Sequence, residues 1–302
     1  MVQTKTAIKT SAASARPAAP VQPACLGAWR LGSLIGQGRL SHVYSAQPID
    51  GDAGEVYAYA VKVLRWPWDT DPRGQILLRR EAFVGRRVTS PHVVPVLTAA
   101  IDEGPYYTVM PRLDGRTAAE VLCATGPLDL PIALWIARQM ADGLAAIHDA
   151  GWIHGDIKPA NVLVHPSGHA TLIDLGFARP IGSFADSPES ELLGTPDYLA
   201  PEQLVASCRA DQRSDLYSLG VALFKLLTGQ PASTGQKETP LPGQITHALD
   251  VRAVAPHVPL QVARLVRELL SHEPLRRPQT AAEVADRLAS LEIASFAERQ
   301  FE

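Results

Sequence analysis

Two short stretches concentrate side chains able to move protons and bind cations: HGDIKPANVL, His154–Leu163, and LIDLGFAR, Leu172–Arg179. Asp156, Lys158, Asn161 and Asp174 each sit beside apolar runs, a poor setting for charge because an unpaired ion is costly away from water. Convergence on one shared ligand accounts for them. Asn161 and Asp174 supply oxygen donors, which suits magnesium, a cation that takes one or two carboxylates plus phosphate oxygens. Asp156 is then free to accept a proton from a hydroxyl. The plainer reading is a pair of Asx turns with capping roles. It leaves unexplained why both stretches are followed by GTPDYLAPE, Gly194–Glu202.

Further upstream, IGQGRLSHVY carries Gly36 and Gly38. Alone it reads equally well as a turn between strands or as a hairpin whose N–H groups cover phosphate oxygens with no Cβ in the way. Lys62, one of six lysines, then lies inside the apolar stretch AYAVKVL. A lysine in a half-buried strand needs an anion or carboxylate nearby. Glu81 is the candidate partner.

These residues need elements to position them. Alternating or β-branched runs predict five short strands over Leu31–Gly38, His42–Gln47, Val56–Leu64, Val93–Ala100 and Pro105–Met110. Between the third and fourth, Ile76, Leu77, Leu78, Phe83 and Val84 recur at helical spacing and predict one helix carrying Glu81. After Gly115 the pattern is helical. An N-cap candidate at Asp129 and Pro131 open a helix to His148, and Asp215–Leu227 is apolar almost all round, as in a helix surrounded by protein. Thr280 and Glu283 have capping-box spacing ahead of a last helix. The fold class is therefore α+β. Residues 1–28, rich in Ala, Pro, Ser and Thr and free of acids, read as a flexible tail, and residues 292–302 as a short C-terminal one.

Composition narrows the functional classes. The chain has 302 residues, 46% hydrophobic and 20% charged, with 28 basic and 31 acidic residues for a net charge of −3. That is ample for a core and too balanced for disorder or a nucleic-acid footprint, so nucleic acid is not an expected partner. No apolar run reaches the length of a membrane span and no secretory leader is evident. A cytoplasmic location is expected. The three cysteines, Cys25, Cys123 and Cys208, are expected to be reduced and mostly buried.

The ordered set of motifs resembles a protein kinase catalytic domain, similar to bacterial members of the eukaryotic-like serine/threonine group. The resemblance covers about Trp29 to Leu291. It implies a two-lobed fold: a small lobe, residues 29–110, with a five-stranded antiparallel sheet and one main helix, and a hinge with a larger helical lobe, residues 111–291. It implies ATP and magnesium, or manganese in its place, as cofactors, and proteins with Ser or Thr acceptors as substrates. The composition of the tail, not the resemblance, offers Thr4, Thr6, Thr10, Ser11 and Ser14 as candidate autophosphorylation sites; the oligomeric state is left open. By the same resemblance Lys62 contacts the α- and β-phosphates and pairs with Glu81. Asn161 and Asp174 ligate the metal, and Gly36 and Gly38 cover the nucleotide. Asp156 orients and deprotonates the acceptor, Lys158 neutralises the transferring group, and Thr195 supports both. Met110 precedes a hinge over Pro111–Leu113, with Leu113 beside the nucleotide, while Ile35, Val43, Ala60 and Leu163 sandwich adenine. Glu202 and Arg277 resemble a buried ion pair, and Asp215 a cap that holds the catalytic loop backbone.

Three positions depart from the family pattern: Ser41 replaces a third glycine, Leu175 replaces a phenylalanine, and Gly155 replaces an arginine before the catalytic aspartate. Where that arginine is present it receives an activation-segment phosphate. Its absence implies activity that does not depend strongly on phosphorylation of Ser183, Ser187 or Ser190. Two other classes share the architecture: small-molecule phosphotransferases of the aminoglycoside-kinase type, which also spell HGD, and pseudokinase scaffolds. DLGFARP and GTPDYLAPE argue against the first, and the full set of chemical residues against the second.

Overall fold

In a computed structural model of the chain, residues 25–51, 57–184, 196–204, 209, 211–232 and 249–298 are described. The N-terminal part is an antiparallel sheet of β1 (Cys25–Leu26), β2 (Trp29–Gln37), β3 (Ser41–Pro48), β4 (Tyr59–Leu64), β5 (Thr98–Ala100) and β6 (Tyr107–Pro111), in the spatial order β1-β2-β3-β4-β6-β5. The sheet therefore has six strands where five were predicted. Cys25 and Leu26, expected as the end of the tail, pair with Arg30 and Trp29 across a tight turn. The fourth predicted strand shortens to Thr98–Ala100. Pro95 lacks a donor for the ladder, and Val93 and Val94 instead pair with Leu172 of the other lobe.

Register sorts the side chains onto two faces. Tyr44, Val61 and Val109 lie opposite one another on adjacent strands and pack with Leu26, Leu31 and Ala46 in a small core. On the other face Gly36 lies opposite Val43, Val43 opposite Lys62, and Ala60 opposite Met110. Because side chains alternate along a strand, these five residues share one surface.

Helix α1 (Pro72–Gly85) crosses that surface, with Pro72 at its start and Asp71 accepting from the Arg73 N–H at 2.9 Å. Its buried side presents Leu77, Leu78 and Glu81. Beyond the hinge come β7 (Arg116–Thr117), α2 (Ala118–Thr125) and α3 (Leu130–Asp149). The α2 start has a full capping box between Thr117 and Glu120. Asp129 occupies the cap position of α3 without a side-chain hydrogen bond. Short strands follow: β8 (Trp152–Ile153), β9 (Val162–Val164), β10 (Ala170–Leu172) and β11 (Arg179–Pro180). They form a three-stranded sheet, β10-β9-β7, and a β11-β8 pair.

Helix α4 (Gln212–Thr228) runs through the centre of the larger lobe, with Tyr217 and Phe224 at most 1% exposed. Three helices complete the described residues: α5 (Val251–Val254), α6 (Leu260–Leu269) and α7 (Ala281–Glu298). The Glu283 N–H of α7 donates to Thr280 Oγ1 at 3.1 Å. Among the described residues no helix is long and apolar enough to cross a membrane. Cys25 and Cys123 are free thiols, but both are exposed rather than buried: one begins an edge strand and the other lies on the solvent side of α2. Cys208 lies outside the described residues.

Candidate active site

Lys62 brings three elements together. Its Nζ donates to Glu81 Oε1 on α1 at 3.0 Å and to Asp174 Oδ1, in the turn after β10, at 2.9 Å. Burial alone would lower the ammonium pKa, but the charges of Asp174 and Glu81 more than reverse this and raise it. Burial holds Glu81, 2% exposed, above its ordinary range even against Lys62. Asp174 falls below its ordinary range, because Lys62 and, more weakly, His154 and Lys158 outweigh its desolvation. Asp174 is thus an anion with 36% of its side chain exposed. Its backbone is left-handed, φ 68°, a conformation that costs a non-glycine residue energy and is held by its surroundings. The 3₁₀ turn Leu175–Phe177 follows, with Leu175 fully buried and Gly176 against Leu77 of α1. Leu175, the departure noted in the sequence, thus fills a buried apolar position.

The second cluster surrounds Asp156, which is 6% exposed. Its Oδ2 accepts from Lys158 Nζ at 2.6 Å and from Asn161 Nδ2 at 2.8 Å, and its carbonyl accepts from the same amide. Asn161 thereby commits its NH₂ to Asp156 and keeps its amide oxygen free of hydrogen bonds among the described residues. Asn161 and Asp174 therefore offer one amide and one carboxylate oxygen, a donor set that fits magnesium with phosphate oxygens completing the shell. The loop is fixed from below by Asp215, 1% exposed. That carboxylate accepts from the His154 N–H at 2.8 Å, the Gly155 N–H at 2.9 Å and His148 Nε2 at 2.9 Å. Burial tends to raise the Asp215 pKa, and these donors pull it below the ordinary range instead.

Gly155 answers a steric demand. Its φ is 79°, and a Cβ there would stand 2.5 Å from the Phe177 carbonyl oxygen. Gly36 and Gly38 differ: neither has a positive φ, and a Cβ on either would meet only ordinary contacts with Val43 or Ser41. Ser41, in place of a third glycine, is buried and begins β3.

Ala60 and Met110 pack with Val94, and Val43 and Ile173 cover them. Ile173 was not singled out from the sequence; its position directly before Asp174 was the available signal. Leu113 and Leu163 line a recess of about 260 Å³ with Arg112, His165 and Thr171. Ile35 stands apart, 43% exposed on β2. Thr195 lies outside the described residues. At a distance, Glu202 accepts from Arg277 at 2.6 and 2.7 Å and from Ser214 Oγ at 2.8 Å.

A small antiparallel sheet over a helical lobe, with this charged cluster at their junction, is the two-lobed kinase-like class of fold. The family model described as protein kinase domain matches residues 29–288, and the chain belongs to that family. It is 31% identical over 278 residues to the serine/threonine-protein kinase PrkC of Bacillus subtilis, covering 91% of this chain and 42% of that protein. It is 35% identical over 281 residues to the serine/threonine-protein kinase pkn2 of Myxococcus xanthus, covering 87% and 32%. To the serine/threonine-protein kinase PknB of Mycobacterium tuberculosis it is 32% identical over 264 residues, covering 85% and 41%. The chain thus spans less than half the length of these relatives.

Proposed function

We propose that the chain transfers the γ-phosphoryl group of ATP to Ser or Thr hydroxyls of proteins. The observation that carries this reading is the bridge from Lys62 to both Glu81 and Asp174, which ties the sheet lobe, its helix and the turn after β10 into one anion-binding corner. Lys62 holds the α- and β-phosphates, and Gly36 and Gly38 leave room for backbone N–H groups above them. Val43, Ala60, Met110, Leu113 and Leu163 face the adenine, and the exposed Ile35 closes over it.

Asn161 and Asp174 would hold magnesium, which when bound neutralises charge on the phosphates. Asp156 orients the acceptor hydroxyl. As its oxygen attacks the γ-phosphorus the proton passes to the Asp156 carboxylate, the bond to the β-phosphate oxygen breaks, and ADP leaves. Lys158, already 2.6 Å from Asp156, places its ammonium where negative charge on the transferring group is met. Thr195 supports both residues. Gly155 leaves no guanidinium to receive an activation-segment phosphate, so the active arrangement forms without one. The free thiols at Cys25 and Cys123 suit the cytoplasm, where ATP and magnesium are at hand.

The test is incubation with labelled ATP and magnesium, alone, with a generic basic protein, and with aminoglycosides. Label on protein Ser or Thr, lost in Lys62→Met and Asp156→Ala, is expected. Label on aminoglycoside alone, or nucleotide binding without turnover, overturns the reading.

A further inference from the structure

Every residue of α4 from Ser214 to Thr228 is buried except Lys225. The central helix reaches the surface at that one position in this stretch, and it does so with a cation. Lys225 Nζ donates to Tyr198 Oη at 3.1 Å and lies 5.6 Å from the centre of the same ring. Tyr198 is itself fixed: it is 8% exposed, and its carbonyl accepts from Ser218 Oγ at 2.7 Å. An ammonium has three donors, and among the described residues no carboxylate lies within ion-pair distance of this one.

The position relates to the reaction through α4. Asp215 grips the catalytic loop by the His154 and Gly155 N–H groups, and Lys225 lies on the same helix one decade of residues further on. At about 1.5 Å per residue this separates the two by about 15 Å. Asp156 directly follows Gly155, whose N–H lies 2.9 Å from Asp215, so an extended polypeptide starting beside Asp156 covers a comparable distance in about four residues at roughly 3.5 Å each. Tyr198 lies within the field of Asp156: burial raises its pKa most, and the charges of Asp197 and Asp156 add to the rise against Lys225.

We infer that Lys225 is a specificity determinant: its ammonium, positioned by Tyr198, binds an Asp or Glu side chain of the polypeptide acceptor within about four residues of the Ser or Thr presented to Asp156. The inference rests on the kinase reading above. A purely structural lysine would act only on the C-terminal end of the helix dipole and would leave acceptor choice untouched.

The test uses the full chain and a set of peptides with one Ser among neutral residues, a single Glu being placed in turn at each of four positions on either side. One Glu position is expected to lower KM about tenfold relative to the all-neutral peptide, with kcat moving much less. The ratio of the two KM values should collapse toward one in Lys225→Met, persist in Lys225→Arg, and shift toward an Arg-containing peptide in Lys225→Glu. Because each ratio is taken within one protein, loss of folded material cancels. Equal KM values across the series in the unmodified chain overturn the inference while leaving the kinase reading intact, as does a Glu preference that survives in Lys225→Met. Failure of every peptide, together with no ATP turnover, overturns both.

Discussion

Gly155→Ala is the sharpest structural test of the catalytic loop. The residue has φ 79°, and an added Cβ would stand 2.5 Å from Phe177 O. A left-handed backbone costs a residue with a Cβ about 1–2 kcal/mol. Relieving an overlap of this size in packed surroundings adds about 1–3 kcal/mol. The total is about 2–5 kcal/mol, which for a domain of this size lowers Tm by about 5–15 °C. The strain cannot stay local. Gly155 is hydrogen-bonded to Asp215 on one side and Asp156 follows on the other, while Phe177 ends the turn begun after Asp174. Displacement therefore reaches both carboxylates, and kcat/KM should fall at least tenfold. Calorimetry combined with a peptide phosphorylation assay measures both. A variant within 2 °C of the parent with unchanged kcat/KM would refute the steric argument for glycine at this position.

Arg277→Met leaves Glu202 with Ser214 alone, so Tm should fall by about 10 °C, consistent with about 3 kcal/mol for breaking a buried pair; an unchanged melting curve would show that the pair contributes nothing. Burial pushes His154 below its ordinary range of about 6.5 against the pull of Asp215 and Asp156, so the folded chain binds fewer protons than the unfolded one and stability is lost as pH falls through about 6.5. Glu81, raised by burial, acts in the opposite sense above about 4.5. The difference in Tm between the parent and His154→Gln should therefore shrink from pH 7.5 to 5, and a constant difference would remove His154 as its source. The combined variant Ser183→Ala, Ser187→Ala, Ser190→Ala should keep at least half the parent activity in an initial-rate assay. Abolished activity would mean that segment phosphorylation is required.

The chemistry was more legible than the framework around it. A lysine inside AYAVKVL demanded a carboxylate, and periodicity put Glu81 on a helix able to supply one; the structure brings them to 3.0 Å. What sequence spacing did not reveal was that Asp174 joins the same ammonium at 2.9 Å, because a residue far along the chain reaches Lys62 only after the lobes assemble. Two-residue strands such as β1, β7 and β11 carry too few side chains for an alternation to register. The Val93–Ala100 run is apolar and β-branched like one strand, but Pro95, a local signal against a ladder, and cross-lobe pairing to Leu172, a tertiary effect, divide it. The cysteines misled because their usual burial is an average tendency, whereas Cys25 sits on an edge strand and Cys123 on an outer helix face. Gly155 was visible as a departure, yet its steric reason, the Phe177 carbonyl, emerged only from the folded loop.

Phosphoryl transfer by this chain requires Asp156 and Asp174 to act together on a nucleotide's terminal phosphate. The direct measurement is phosphoamino-acid analysis of a Ser/Thr-containing protein substrate after incubation with the purified chain, labelled ATP and magnesium, beside Asp156→Asn and Asp174→Asn. Phosphoserine or phosphothreonine from the parent, reduced at least a hundredfold in both variants while they remain folded, is the predicted result. Equal labelling by parent and variants, or none by the folded parent, would contradict it.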